Sequence, residues 1–436
     1  MLSDPIVALA TPPGRSAVAL LRLSGRGAFA IAGKCLSPWR ADSPRTVFRA
    51  RLTDVDDVLA VCFPGPNSYT GEDLVEISTH GGLLAPAEAL AALVAAGARP
   101  AEAGEFTRRA VLNGKMDLLQ AEATADLIDA SAPAQRRRAL SQLDQGLSRR
   151  LESLRSEILE LEGLTAYEID FPEEDDGPVA PERVVNAWES VRARVADLLG
   201  TAAEGERLRE GAMLVIAGPP NAGKSTLFNA LLGSERAIVT DIPGTTRDAI
   251  EAPAVIAGFP FRLVDTAGLR DSQDRIERLG IEVSQKYIDA ADVVLYCSEG
   301  ALRRQDGMSV SDSVPVIEVR TKCDLPTDLP TYRLSVSALT GAGMQDLKQE
   351  LASVAFGKLI ALGDVEPVVT RARHRQALET ALKELSLFQE ARAGGVEAIA
   401  AATHLRAATG ALDSLIGAVT ADDVLERVFS SFCVGK

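Results

Sequence analysis

The sequence predicts a multidomain chain of α/β and all-α parts. An α+β domain occupies residues 1–116, and a parallel α/β domain over 211–358 is set inside a helical domain contributed by 117–210 and 359–436. Three observations predict this. Short apolar runs and Pro/Gly turns alternate near the N-terminus. Helical apolar spacing both precedes and follows the middle of the chain. Between those helical stretches, an apolar run leads through a glycine loop into a helix, the opening of a doubly wound nucleotide domain.

In chain order, Ile6-Val7-Ala8-Leu9 and Val18-Ala19-Leu20-Leu21-Arg22-Leu23 read as strands around the Pro12-Pro13-Gly14 turn. Leu74-Val75-Glu76-Ile77-Ser78 is a third, and the Ala- and Leu-rich stretch from Leu83 to Ala96 reads as a helix. From Asp117 to Ile169 apolar residues recur at helical period, as in Leu140, Leu143, Leu147, Leu151, Leu154, Ile158 and Leu161, with charges opposite. The acidic, Pro-flanked stretch Phe171 to Pro178 ends it, and a helix follows from Glu182 to Leu199. His374 to Arg392 and Val396 to Ala408 are helical again.

The middle segment carries the chemistry. Met213-Leu214-Val215-Ile216-Ala217 precedes Gly218-Pro219-Pro220-Asn221-Ala222-Gly223-Lys224-Ser225, and Thr226 to Leu232 reads as a helix. Backbone N–H groups of such a loop and helix start cradle α- and β-phosphates. Lys224 would reach the β/γ oxygens and Ser225 would bind Mg²⁺. A second apolar run ends in Asp265-Thr266-Ala267-Gly268, where the Asp can hold Mg²⁺ through water and Gly268 can meet a γ-phosphate. Between them lies Thr240-Asp241-Ile242-Pro243-Gly244-Thr245-Thr246, the kind of segment whose Thr completes the Mg²⁺ shell. Thr321-Lys322-Cys323-Asp324 follows another strand. Asp324 would accept the N1–H and N2–H₂ edge of guanine, Lys322 would lie along the base, and the backbone of Ser337-Ala338-Leu339 can meet guanine O6. Five motifs in order identify a P-loop GTPase domain of the Ras-like parallel type. Two residues depart from small signalling GTPases. Leu269 stands where a water-orienting Gln is common. Thr321 stands where Asn usually ties the base loop to the phosphate loop, and its shorter side chain predicts weaker nucleotide binding.

A formal net charge of −15 argues against wholesale electrostatic capture of nucleic acid, and leaves local basic stretches such as Arg136-Arg137-Arg138 as solvated helix faces. Five Cys without a CxxC pair read as reduced thiols of a cytoplasmic protein, and three His disfavour a histidine metal centre. No apolar run reaches membrane length, and Met1 to Pro5 lacks the basic start of a signal peptide.

The chain resembles the family of tRNA-modification GTPases called MnmE or TrmE. The resemblance is carried by Ala10-Thr11-Pro12-Pro13-Gly14-Arg15, Phe63-Pro64-Gly65-Pro66-Asn67-Ser68-Tyr69-Thr70-Gly71-Glu72-Asp73, His80-Gly81-Gly82, Gly104-Glu105-Phe106-Thr107, Gln120-Ala121-Glu122-Ala123 and Phe432-Cys433-Val434-Gly435-Lys436. It implies an N-terminal domain that binds tetrahydrofolate and dimerises, and a heterotetramer with a FAD-dependent partner, MnmG. That complex adds an aminomethyl or carboxymethylaminomethyl group to C5 of the wobble uridine of certain tRNAs, with a folate one-carbon unit as the methylene source. The resemblance further implies that potassium-dependent pairing of G domains promotes GTP hydrolysis. The resemblance places folate contacts at Arg22, Glu76, Lys115 and Lys436, and potassium ligands at Asn221, Thr240, Ile242 and Thr245. It places Mg²⁺ at Ser225 and Thr246, and the catalytic carboxylate at Glu277, which on residues alone reads as a solvated helix charge. Cys433 is either a nucleophile toward the uridine ring or a residue shaping a folate pocket; nothing near it in sequence lowers its pKa, which favours the pocket. A ribosome-assembly GTPase shares every nucleotide motif but typically adds an RNA-binding KH loop, which the sequence lacks. A GTPase that only polymerises is a third reading, and folate binding separates both from the first.

Overall fold

The structure is a computed structural model that describes residues 4–170, 180–233, 251–265, 285–300, 310–326, 333–364, 366–417, 422–430 and 432–436. It divides into two compact units, Met1–Ala125 with Ile416–Lys436, and Asp126–Leu415.

The first unit is built on a seven-stranded sheet in the order β3-β4-β5-β6-β2-β1-β7. The strands are β1 (Ile6–Leu9), β2 (Val18–Ser24), β3 (Leu36–Ser37), β4 (Phe48–Leu52), β5 (Asp56–Phe63), β6 (Leu74–His80) and β7 (Arg99–Pro100). All neighbours are antiparallel except β1 and β7. Alternation sets the faces. Leu21, Leu23, Val75 and Ile77 point into a core covered by the helices Ala28–Cys35 and Ala85–Ala95. Arg22 and Glu76, one residue along, face the other side as a register pair. There the helix Glu105–Leu112 packs, with Phe106 against Ile6, Ala8 and Ala101. Strands β4 and β5 alternate just as clearly, Phe48, Ala50 and Leu52 then Val58, Ala60 and Cys62 being buried.

Arg109 anchors that helix and is only 1% exposed. It donates to the Asp4 carbonyl at 2.8 Å, to the Asp4 carboxylate at 3.0 Å, to Glu105 at 2.9 Å and to Glu72 at 3.2 Å. Arg99 joins through Asp4 and Glu105. Removing one member of a buried ion network leaves the others uncompensated. Arg109→Ala is expected to destabilise this unit by about 3–5 kcal/mol, visible as a lowered Tm by calorimetry, whereas a Tm unchanged within a degree would show the network to be dispensable. The Asp4 carboxyl, held down to about 2 chiefly by its hydrogen bond from Arg99, stays charged until strongly acidic pH.

The terminal residues belong to this unit. The helix Asp422–Phe429 presents Leu425 and Phe429, with Phe432 beyond it, to Leu118 and Ala121. Gly104, at φ 68°, leaves room for the Phe429 carbonyl, which a Cβ there would meet at 2.8 Å.

The second unit holds a five-stranded sheet in the order β12-β11-β8-β10-β9. These are β8 (Ala212–Ala217), β9 (Glu251–Ile256), β10 (Phe259–Asp265), β11 (Val293–Ser298) and β12 (Val316–Arg320). All pair parallel except the edge strand β9. Every residue of β8 and β11 is buried, the pattern of strands covered on both faces. The helix Met344–Leu362 closes one side.

The other described helices include Leu118–Asp129, Pro133–Leu143, Gly146–Asp170, Pro181–Leu199, Ala202–Glu210, Lys224–Leu232, Ala372–Ala393 and Ala398–Ile416. The single periodic stretch from Asp117 to Ile169 is in fact three helices. Pro133 can start a helix but not continue one, and Gln145 takes a left-handed φ of 62° before the third. The Trp188 indole donates to the Leu385 carbonyl at 2.7 Å, and Arg155 pairs with Asp413 at 2.6 Å. The chain enters the sheet through the helix Ala202–Glu210 and leaves it beside that same helix. Val369 N–H donates to the Thr201 hydroxyl at 3.0 Å, and a Cβ on Gly205 would stand 1.9 Å from the Val369 carbonyl. Among the described residues no helix is long and apolar enough to cross a membrane.

Candidate nucleotide and N-terminal sites

The phosphate loop is shaped by backbone that few residues adopt. Gly218, at φ 140°, ends β8 so close to β11 that a Cβ would stand 2.1 Å from the Cys297 carbonyl. Asn221 and Gly223 are left-handed, at φ 62° and 75°, and Gly223 starts the helix Lys224–Leu232. Left-handed turns leading into a helix start form an anion-binding concavity. The buried Lys224 ammonium lies across it, donating to the Gly218 carbonyl at 3.0 Å and the Pro219 carbonyl at 2.8 Å. Ser225 and Thr226 are exposed on the first helical turn. Asp265 ends β10 in register with Ile216 of β8. Cys297, near the end of β11, and Asp265 lie with Lys224 at the C-terminal edge of the sheet, and burial pushes the Cys297 thiol up to about 12, Lys224 opposing and Asp265 reinforcing the shift. That edge, at the crossover beside β8, is where doubly wound sheets bind ligands.

The base loop is tied to the phosphate loop twice. The Thr321 hydroxyl, buried at 4% exposure, donates to the Ala222 carbonyl at 2.8 Å and lies 3.3 Å from the Ser298 carbonyl. The Lys322 ammonium donates to the Asn221 carbonyl at 2.9 Å and pairs with Glu299. Thr321 therefore makes the tie that Asn was expected to make, and the weakening anticipated from its shorter side chain loses its physical basis. Removing the hydroxyl strands a buried carbonyl. Thr321→Val should cost about 1–2 kcal/mol, a roughly 5- to 30-fold rise in the Kd for GDP by calorimetry. Thr321→Asn should bring no gain; tighter binding by Asn would show the Thr tie to be inferior. Asp324 is exposed, its carboxyl held below the usual range by a hydrogen bond from Ser337. Leu339 is 81% exposed on the adjoining turn, next to Ala338.

In the N-terminal unit the non-core face of the sheet gathers a second group. Arg22 donates to Glu76 at 2.7 and 3.1 Å and to the Gly435 carbonyl at 3.4 Å. Its guanidinium lies 5.1 Å from the Tyr69 ring centre and 5.8 Å from that of Phe106. The last residues are fixed there by backbone. Val434 bridges Ala103, and Gly435, at φ 96°, would place a Cβ 2.6 Å from the Leu9 carbonyl. Burial pulls the Lys436 ammonium below its usual range; Arg22 adds to this, while Glu76 and Cys433 oppose it. Cys433 is exposed.

Family models match almost the whole chain, the MnmE helical domain over residues 118–433 and the GTP-binding protein TrmE N-terminus over 5–115. The chain belongs to the MnmE family. A protein of Salinibacter ruber named tRNA modification GTPase MnmE is 42% identical over 459 residues, covering 100% of this chain and 99% of its own length. Namesakes from Aquifex aeolicus and from a strain of Thermus thermophilus are 39% and 42% identical, each across 100% of this chain and 100% and 99% of theirs.

For a member of the MnmE family, the structure brings Arg22, Glu76 and Lys436 together from opposite ends of the sequence. Lys115 lies beside Gly71, where a Cβ would stand 3.2 Å from its Cγ, and it hydrogen-bonds to none of the three. Thr240, Asp241, Ile242, Pro243, Gly244, Thr245, Thr246, Thr266, Ala267, Gly268, Leu269 and Glu277 lie outside the described residues. His80 ends β6 and meets the Asp56 carboxylate at 2.7 Å through Nδ1. Tyr69 and Phe106 were not anticipated around Arg22. Both stand in the motifs that carry the family resemblance, and that was the available signal.

Proposed function

We propose that this chain, a tRNA-modification GTPase by its family, couples GTP hydrolysis to folate-dependent chemistry at C5 of the wobble uridine. In this reading a homodimer works in the cytoplasm with a FAD-dependent MnmG-like partner as a heterotetramer. The product is an aminomethyl or carboxymethylaminomethyl group whose methylene comes from a tetrahydrofolate derivative. The division of labour is 1–116 for folate and dimerisation, 211–358 for GTP, and 117–210 with 359–436 for the helical domain.

The observation that carries the folate reading is the cluster of Arg22, Glu76 and Lys436 beside Tyr69 and Phe106. The donor set fits a folate. Arg22 and Lys436 are cations for a carboxylate, Glu76 is an acceptor for ring N–H groups, and the aromatic rings offer flat apolar surface. Lys115 would contribute a further cation at the edge.

The nucleotide residues also fit their ions. Ser225 and Asp265 offer oxygens suited to Mg²⁺, with Thr246 as a third donor. The exposed Asn221 would offer its amide oxygen to K⁺, with Thr240, Ile242 and Thr245. A bound monovalent cation supplies positive charge beside the β/γ-phosphates, the role an arginine finger plays elsewhere. The chain's own part is to hold the phosphates through loop N–H groups and Lys224, and to select guanine through Asp324. Glu277 would orient the attacking water that Leu269 cannot. Isothermal titration of the whole chain with 5-formyltetrahydrofolate tests the reading. Binding that Arg22→Ala weakens at least tenfold is expected, and no heat of binding in a folded sample would move the chain to a GTPase without folate chemistry.

A further inference from the structure

The hairpin of β9 and β10 joins the nucleotide motifs to the helical part of the chain. At one end, β9 begins at Glu251, directly after the segment containing Thr240 to Thr246, and β10 stops at Asp265, directly before Thr266-Ala267-Gly268. The ladder between them is continuous, six residue pairs from Glu251↔Val264 to Ile256↔Phe259. It closes through the two-residue turn Ala257-Gly258, both left-handed at φ 50° and 81°. Such a ribbon is stiff and roughly 20 Å long at about 3.3 Å per residue.

The far end of the hairpin touches two elements. The Gly258 carbonyl accepts from Ala134 N–H at 3.0 Å. Ala134 stands in the first turn of the helix Pro133–Leu143, whose N-cap, Ala132, has no side chain able to satisfy the free N–H groups of a helix start. The hairpin carbonyl takes that place. Phe259 stacks on Phe356 at 4.8 Å between ring centres and 17° between planes, and Phe261 meets the same ring edge-on at 5.6 Å.

Phe356 is where the helix Met344–Leu362 breaks, at φ −135° and ψ 26°. The turn that restarts after it is held at both ends by charge. Glu204 accepts from the N–H groups of Lys358 at 3.2 Å and Leu359 at 2.9 Å. Arg138, 8% exposed rather than on the solvated face expected for it, donates to the carbonyls of Gly363 at 2.9 Å, Asp364 at 3.5 Å and Glu366. The signs suit the helix dipole, an anion at the start and a cation at the end. Arg138 belongs to the helix that the hairpin caps, and Glu204 to the helix that leads into β8. Hairpin, Pro133–Leu143 helix and restarted turn therefore form a closed ring of contacts.

We propose that the β9–β10 hairpin is the lever that carries the state of the nucleotide site to the helical part of the chain, with Arg138 and Glu204 as the positioning residues at its far end. The proposal rests on the GTPase reading above. A shift of the motifs at either strand end moves the ribbon as a unit, because its ladder and core side chains leave no soft joint before the turn. The shift then loads the Gly258–Ala134 bond and the Phe356 contact together.

Hydrogen exchange on the whole chain tests this, comparing GDP with GDP and aluminium fluoride. Residues 133–143 and 356–363 should change protection between the two states by at least threefold. In Arg138→Gln and Glu204→Gln, GTP turnover should stay within about twofold of wild type, while wobble-uridine modification in complemented cells falls at least tenfold. Arg138→Lys, which keeps the charge, should restore part of that loss, which a fault of folding alone would not predict. Equal exchange of both segments in the two states, with turnover intact, would overturn the lever, as would normal modification by both Gln variants. Absence of turnover in the wild-type chain would instead strike the GTPase reading.

Discussion

Deleting Cys433 through Lys436 is expected to abolish tRNA modification, a loss of at least a hundredfold in modified wobble uridine by nucleoside mass spectrometry, while GTP turnover stays within about twofold. The four residues are far from the phosphate loop in sequence and belong to the other compact unit. They are held by the Val434–Ala103 bridge and by the packing of Gly435 on the Leu9 carbonyl, so their removal opens the face of the sheet where Arg22 lies. It also removes the Gly435 carbonyl that Arg22 donates to and the Lys436 ammonium. Lys436→Ala should reproduce much of the folate loss without the backbone change. Burial holds the Lys436 ammonium below its usual pKa, so its charge is lost at a lower pH than that of an ordinary lysine. Folate affinity in wild type should therefore decline at a lower pH than an ordinary lysine would give, and that decline should vanish in Lys436→Ala. Cys433→Ser separates the two roles open to the thiol, near-total loss for a nucleophile and partial loss for a pocket residue. Modification that survives the deletion would remove this face from the chemistry.

The nucleotide site was legible because its chemistry is local. A glycine loop between a buried strand and a helix leaves its mark within about a dozen residues, and Gly218, Gly223 and Lys224 take up the geometry that mark implies. Strands with a fully apolar run, such as β8, were equally plain. Two shorter features were not. β4 and β5 alternate, with Arg49, Arg51 and Asp57 on the exposed side, but over runs this short a loop gives the same pattern. Pro133 marks one break in the periodic stretch after Asp117, because proline cannot continue a helix, while the left-handed Gln145 at the other break carries no comparable signal. Contacts made across long sequence separations were invisible without the fold. Thr321 reaching Ala222 turns an apparent weakness into a tie, and Arg22 meeting Gly435 spans 413 positions. Local spacing constrains neither. The Arg138 and Glu204 contacts on either end of one helical turn are of the same kind, formed only when the chain returns from the sheet.

GTP turnover is expected to be at least tenfold faster in potassium than in sodium, and Asn221→Ala is expected to lose that difference while still binding GTP. Sequence removes the common alternative, because Leu269 has no group that could orient water. Charge that builds on the β/γ oxygens must then be balanced by something other than the usual side chains, and a positioned cation is worth about a thousandfold or more in comparable sites. Asn221 is the side chain proposed to hold that cation. It is exposed on the loop, its left-handed backbone is fixed by its position before Ala222 and Gly223, and Lys322 already occupies its carbonyl, leaving the side-chain amide as the donor. Sodium, being smaller, would need shorter contacts than a loop tied down by Thr321 and Lys322 can close to make, so selectivity should follow from the same two ties. Glu277→Ala should lower kcat at least a hundredfold in potassium with little change in nucleotide Kd, since a group acting only in the transition state leaves ground-state binding alone. The two variants should not be additive if cation and carboxylate serve one transition state. Equal turnover of the wild-type chain in the two salts would end the potassium reading, and a Glu277→Ala variant with wild-type kcat would return that residue to the solvated helix face from which its sequence context alone would not have raised it.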